Sequence, residues 1–407
     1  MISIGPSIKN FFYRFFCFSF IFTIFFHKIE IFNIFSFIKI SEIFFFFLFI
    51  LYFTFDGRKL KKNFSKIDLI FFLWPLLNIF QYFINPSNLL GAFSSIYLFF
   101  IYLIFKNLFF DLGKDKIINY LIITLLFSSI ISITGWFLSQ LNIDINITEY
   151  KAGWPIYLFK SYRSIAFMTT PNMLFFYLSF GFLIILNFNF KNKKLILGII
   201  FSGIFFTFSK SLLIFFPLIL FPYILRYKNF YLTKLYLLFM LLLIILFNFL
   251  TNIIFAPKNI NFFEGYKHEH YMEKKSLPLY ENSKFILYKS NYANLKDKSA
   301  KIIKKNFLNG IGYDVFKSYD TQGDKHVLGY KPHSSIIGMV VENGIFALCI
   351  FSIIMTILIK YSLNNKNYFY LTAIIFLILE SINMDVHYFK IIWIFMPLML
   401  MNKQSIN

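Results

Sequence analysis

Apolar residues in this chain fall into long blocks of Phe, Ile and Leu separated by short polar stretches. A bilayer core takes about 20 apolar residues per helix, and shorter runs suffice where Lys and aromatic side chains snorkel at the ends. About twelve blocks meet that demand, near residues 10–27, 36–55, 68–84, 87–105, 117–139, 172–188, 194–208, 211–226, 233–255, 334–359, 367–384 and 387–402. The predicted fold class is all-α, a polytopic transmembrane helical bundle of about 12 spans.

Sidedness follows from the short loops. Asp56-Gly57-Arg58-Lys59-Leu60-Lys61-Lys62 is strongly basic, the loop at 85–88 is uncharged, and basic clusters return at 106–116, 191–194, 226–234 and 360–366. Basic loops stay in the cytoplasm, which makes both termini cytoplasmic and puts residues 140–165 and 256–333 on the opposite side. The larger outer loop holds 14 Lys against 8 acids, but loops of that length cross largely regardless of charge. Residues 194–226 read as two short crossings meeting near Lys210, because Lys191, Lys193 and Lys194 before them and Arg226 and Lys228 after them then face one compartment. The expected division is a membrane body at 1–255 with nine spans and a short outer loop at 140–165, a large outer loop at 256–333, and three closing spans with a cytoplasmic tail at 334–407. No tandem or inverted repeat is visible.

Composition narrows the classes. Of 407 residues, 58% are hydrophobic and only 14% charged, which excludes a soluble globular protein and a disordered one. The formal charge of +21 raises nucleic acid as a partner, but the Lys residues sit in short loops where they face lipid headgroups, not in one stripe able to follow a phosphate backbone. The 63 Phe and scarcity of Arg fit an AT-rich coding bias, so excess Phe carries little functional information. Cys17 and Cys349 lie inside apolar runs, so neither a disulfide framework nor a thiolate metal site is expected. No small-residue cleavage site follows the first apolar run, which reads as a retained helix.

Candidate chemistry lies in three places. Arg163 is the one Arg of four that this topology puts outside, and it precedes Thr169-Thr170-Pro171-Asn172 at a helix start. A planar guanidinium suits bidentate binding of phosphate oxygens; an isolated Arg here otherwise anchors a helix end. Ser209-Lys210-Ser211 breaks an apolar stretch, where an ammonium either neutralises a lipid-linked pyrophosphate or simply snorkels. Last comes Gly310-Ile311-Gly312, a tight turn or close backbone approach, followed by Pro332-His333-Ser334 and Glu342-Asn343-Gly344. A neutral His333 at the re-entry point can accept a proton from a hydroxyl, and Glu342 deeper in needs a partner or a cavity. His268-Glu269-His270 lacks a third ligand and reads as solvated loop. Glu380, Asn383, Asp385 and His387 form a polar outer turn between the last two spans.

Together these features resemble the O-antigen ligase and O-antigen polymerase superfamily of bacterial envelope glycosyltransferases. The likeness rests on the span number, the large late outer loop, Arg163 through Pro171-Asn172, Ser209-Lys210-Ser211, Gly310-x-Gly312, Pro332-His333-Ser334 and Glu342-x-Gly344, and it extends from about residue 150 to 360. One departure stands out. Where family members carry another Arg upstream of the Gly-x-Gly, this chain has Asn291-Tyr292 with Lys289 and Lys296 nearby.

The resemblance implies a protein of the bacterial inner membrane whose loop 256–333 is periplasmic. It also implies inverting transfer of a glycan from undecaprenyl pyrophosphate to a hydroxyl of a glycan or of lipid A core, as ligase or polymerase, with no metal or other cofactor. Arg163, Lys210, Asn172 and Ser209 are then expected to hold the pyrophosphate, His333 to act as general base, and Glu342 to position His333 or the acceptor. Other polysaccharide-assembly proteins are expected partners, and nucleic acid is not. The alternative is a lipid-linked oligosaccharide flippase or other polytopic carrier.

Overall fold

The computed structural model describes residues 6–28, 39–84, 89–143, 145–151, 161–227, 229–257, 279–321 and 329–401. Among the described residues there are fourteen α-helices: α1 (Pro6–Thr23), α2 (Ile40–Asn63), α3 (Lys66–Ile84), α4 (Leu89–Asp111), α5 (Lys114–Gln140), α6 (Pro171–Ile185), α7 (Lys193–Phe205), α8 (Leu212–Tyr227), α9 (Phe230–Asn252), α10 (Asn291–Asn306), α11 (Ser335–Asn343), α12 (Ile345–Asn364), α13 (Tyr368–Glu380) and α14 (Lys390–Leu400). Among the described residues, each apolar block contains a helix. Six helices, α2, α3, α4, α5, α9 and α12, are long and apolar enough to cross a membrane, and α6, α8, α13 and α14 are shorter apolar helices. This is a membrane-embedded, mostly helical protein.

Two departures from the sequence expectation are physical. The fold is not helix alone, because segments between the helices pair as small antiparallel sheets: β1 (Thr148–Lys151) with β2 (Ser161–Ser164), and β3 (Ile253–Pro257) with β5 (Phe285–Lys289), which also pairs with β4 (Tyr280–Glu281). The block at 334–359 is two helices, because Gly344 breaks it at φ +75°. A Cβ on Gly344 would stand 1.9 Å from the Leu308 carbonyl oxygen, so only glycine fits there. The expected division at Lys210 is also seen, since α7 ends at Phe205 and α8 begins at Leu212.

The core centres on α6, all of whose residues except Asn172 are buried. Its Phe175 and Phe176 meet Phe215 of α8, Phe376 of α13 and Phe389 before α14 at ring distances of 5.1–6.0 Å. Three of these pairs are edge-on and Phe176–Phe376 is stacked, geometries that gain specific attraction beyond area burial. By contrast α9 buries only 17% of its most apolar window, as expected of a helix whose Leu face meets lipid. Buried carboxylates are paired: Asp68 with Lys106 (2.5 Å) and the Tyr102 hydroxyl (2.6 Å), and Asp56 with Lys9 (2.6 Å) and the Tyr13 hydroxyl (2.7 Å). Lys390 of α14 is tied to Ser41 and Glu42 of α2.

Part of the segment between α9 and α11 folds onto the bundle. Ser290 caps α10 by accepting from the Ala293 N–H, and donates to the Thr251 carbonyl at the end of α9 (2.6 Å). Leu295 and Ile302 of α10 form a small second core with Ile311, Phe316 and Val341.

Candidate functional site

The site begins where α7 and α8 separate. A helix end leaves carbonyls without intrahelical partners, and apolar surroundings make that costly. Here the β1–β2 hairpin meets the need, with the Ser164 N–H donating to the Phe206 carbonyl (3.0 Å) and Arg163 Nε to the Thr207 carbonyl (3.2 Å). The Arg163 guanidinium, only 6% exposed, turns its Nη2 to Asn172 Oδ1 at 2.8 Å. Asn172 is placed by the start of α6, where Thr170 caps by accepting from the Met173 N–H and Pro171 fills the first turn. Ser209 donates to the same Asn172 Oδ1 (3.1 Å). Arg163, Asn172 and Ser209, singled out in the sequence as separate motifs, are therefore one hydrogen-bonded group.

Lys210 and Ser211 reach elsewhere in the same region. Lys210 Nζ donates to the Leu250 carbonyl (2.5 Å), one of the last of α9, where a cation also suits the helix dipole. Ser211 donates to Glu380 Oε2 (3.1 Å) at the end of α13. Lys296 of α10 bridges Asn252 (3.2 Å) and Asn383 (3.1 Å), and burial lowers its pKa. Two lysines thus converge on the last turn of α9.

His333 stands at the entry to α11 with φ +52°, a left-handed backbone that costs about 1–3 kcal/mol in a residue other than glycine and persists only where surroundings enforce it. The surroundings here are the turn between α13 and α14: the Ser334 and Ser335 hydroxyls bond to the Ser381 and Met384 carbonyls (3.2 and 2.9 Å), and the Ser335 N–H also donates to Met384 (2.9 Å). Burial pushes the His333 pKa below its ordinary value, with Asp385 pulling it back up and Lys331 adding to the fall. Burial likewise raises Asp385, against the pull of His333 and Lys331. The imidazole is therefore neutral at neutral pH and able to accept a proton.

Tyr292, in the first turn of α10, packs on His333, its ring meeting the imidazole edge-on at a centroid distance of 5.4 Å. Burial raises the pKa of its phenol, which lies in the field of Arg163 and of Glu149, the first lowering it and the second raising it. Asn172, Tyr292 and His333 are each partly exposed.

Glu342, expected to position His333 or the acceptor, is bonded elsewhere than to His333. Oε1 accepts from the Asp314 N–H (3.2 Å), and Oε2 faces the Tyr388 hydroxyl at 3.4 Å. No hydrogen bond joins it to His333 among the described residues; the carboxylate acting on His333 is Asp385. Gly310 and Gly312 form the close backbone approach that their spacing suggests: the Ile311 and Gly312 N–H groups bond to the Val341 and Glu342 carbonyls (2.8 and 2.9 Å), and a Cβ on Gly310 would stand 2.4 Å from the Glu342 oxygen. They lock the long loop onto the end of α11.

Sequence reasoning missed Tyr292 as a neighbour and Asp385 as the partner of His333. Their signal was thin, since Asp385 appeared only as one polar residue in a turn and Tyr292 only as the residue standing where an Arg was sought. His268, Glu269 and His270 lie outside the described residues. Among the described residues, no group of three or more His, Cys, Asp or Glu side chains is disposed to hold a metal ion. Comparison with protein-family models and with curated proteins gives no match for this chain.

Proposed function

We propose that this protein is an inverting, metal-independent membrane glycosyltransferase that moves a glycan from undecaprenyl pyrophosphate to a hydroxyl acceptor during surface polysaccharide assembly, as ligase or polymerase. On this reading the apolar helices make about twelve crossings of a bacterial inner membrane, with both termini cytoplasmic and residues 140–165 and 256–333 in the periplasm. The observation that carries it is one neighbourhood in which Arg163 is bonded to Asn172 and Ser209 shares that amide, while Tyr292, in the field of Arg163, packs on His333. A charged fork and a neutral imidazole in one neighbourhood suit a substrate with a dianionic linker next to a reacting sugar carbon.

The step balances without a further reactant. The acceptor oxygen attacks the anomeric carbon as His333 takes the hydroxyl proton, and the bond from that carbon to the phosphate oxygen breaks. The electron pair leaves on undecaprenyl pyrophosphate, and His333 then returns its proton to water. Arg163 stabilises charge growing on the leaving phosphate, where a fixed donor is worth most. Lys210 and Lys296 add positive potential from the end of α9, while Ser209 and Asn172 orient Arg163. Asp385 orients His333 and stabilises the imidazolium, the part first expected of Glu342.

A deletion strain tests the reading through its surface glycan. Core bearing a single repeat unit indicates a polymerase, and bare core with accumulated lipid-linked polymer indicates a ligase. An unaltered glycan profile contradicts both.

A further inference from the structure

One hydroxyl ties the entry of α11 to the turn that carries Asp385. Ser335 Oγ donates to the Met384 carbonyl (2.9 Å) and accepts from the Val386 and His387 N–H groups (2.7 and 3.2 Å), so it grips the backbone on both sides of Asp385. The His387 ring completes the grip, with Nδ1 at 2.9 Å from the same oxygen. A carbonyl cannot donate, so the hydroxyl hydrogen is spent on Met384 and Nδ1 carries the hydrogen of the remaining contact. Nε2 therefore holds the lone pair. It is buried without a partner among the described residues, and the ring borders a small cavity lined also by Trp74, Phe351 and Trp393. Trp74 meets the imidazole edge-on at a centroid distance of 5.7 Å, and the Trp393 indole N–H donates to the His387 carbonyl (2.9 Å).

The carboxylate in this turn lies against α11. A Cβ added at Gly338 would stand 3.3 Å from Asp385 Oδ1 and 3.6 Å from Pro332 Cγ, so the carboxylate and the residue before His333 border one glycine. We infer that Ser335 and His387 are positioning residues that set the Asp385 carboxylate beside His333. This inference rests on the glycosyl-transfer reading, in which His333 is the base, and goes beyond it. Tyr292 of α10 packs on the His333 imidazole, and the charged groups acting on it are Asp385, which raises its pKa, and Lys331, which lowers it. A turn released from Ser335 lets the carboxylate draw away, and the imidazole then titrates at lower pH.

The test uses the full-length protein in liposomes, with undecaprenyl pyrophosphate-linked glycan and a hydroxyl acceptor. Two readouts are compared: transfer, and the pH at which modification of His333 by diethyl pyrocarbonate, followed by mass spectrometry, falls by half. His387→Phe keeps the ring volume and loses the donor. It should lower kcat about 10-fold or more while KM for the glycan donor holds. The acid limb and the modification midpoint should both move down by about half a pH unit or more. Ser335→Ala, which leaves the His387 ring in place, should do the same and decides the matter if His387→Phe is not recovered folded. His387→Asn returns an N–H to the position of Nδ1 and should restore kcat and both midpoints. Unmoved midpoints, or a His387→Asn variant as impaired as His387→Phe, overturn the positioning role and leave the wider reading standing. Midpoints that shift as stated, with no transfer by wild type, overturn the wider reading and uphold the coupling of Ser335 and His387 to His333.

Discussion

The Asp385 carboxylate, in the turn between α13 and α14, acts electrostatically on the imidazole of His333, whose backbone is left-handed at φ +52°. Ser334 and Ser335 bond to the Ser381 and Met384 carbonyls of the same turn, so on the proposed reading the base is held before substrate arrives. Preorganisation of this kind lowers the cost of reaching the reactive geometry.

Asp385→Asn should show this in the pH profile. The negative charge of Asp385 raises the His333 pKa, while burial and Lys331 lower it. Without that charge the imidazole becomes a weaker base and titrates at still lower pH. The acid limb of kcat/KM is expected to move to lower pH as kcat falls, and an unmoved limb would separate Asp385 from His333.

Arg163→Lys keeps the charge and loses the fork. The Nε and Nη2 contacts to the Thr207 carbonyl and Asn172 need a planar group with donors in two directions, which an ammonium does not reproduce. Transfer should fall by about 10-fold or more, the scale of one charge-assisted hydrogen bond. Expression and detergent-extracted yield should hold, because the hairpin keeps its Ser164 contact to Phe206. Wild-type rates from the Lys variant would reduce Arg163 to a helix anchor.

Gly344→Ala should destabilise the fold. A methyl group there meets the Leu308 carbonyl oxygen at 1.9 Å on a backbone at φ +75°, so both contact and conformation oppose it. Gly57→Ala is the control, because nothing lies within 4 Å of its added Cβ and the site is helical. Thermal unfolding monitored in detergent should give a Tm drop of several degrees for the first and none for the second.

Acceptor charge should matter. Glu342 lies in the field of Asp385, Asp314 and Lys331, Lys331 pairs with Asp314 at 3.8 Å, and Tyr313 stands edge-on to Tyr388 at 5.2 Å. Carboxylates accept hydrogen bonds from sugar hydroxyls and repel phosphate. In competition, an acceptor with an uncharged terminal sugar is expected to react faster than one phosphorylated beside the reacting hydroxyl; the reverse order would place the acceptor elsewhere.

Much of this was legible in the chain. Apolar blocks marked the helices, since each must satisfy its own backbone in lipid. Arg163, Asn172 and Ser209 were found as separate motifs because Arg, a helix start and a polar break are local signals. Their hydrogen bonding was not visible, because it depends on a hairpin and a broken helix pair meeting across the bundle. The break at Gly344 was hidden for a related reason: glycine inside an apolar run looks like part of the helix until the Leu308 carbonyl is seen to occupy its Cβ position. Glu342 drew attention by its depth in an apolar run, whereas Asp385, in an ordinary polar turn, gained its importance only from the packing of that turn on α11.

The most direct measurement is transfer by purified protein in liposomes, supplied with undecaprenyl pyrophosphate-linked glycan and a hydroxyl acceptor, comparing wild type with His333→Ala. Wild type should form the inverted glycosidic product without added metal. His333→Ala should bind donor as wild type does and lose transfer by about 10²–10⁴-fold, the usual contribution of a general base. Product formed by His333→Ala at the wild-type rate, or no product from wild type, would contradict the role given to the imidazole beside Arg163.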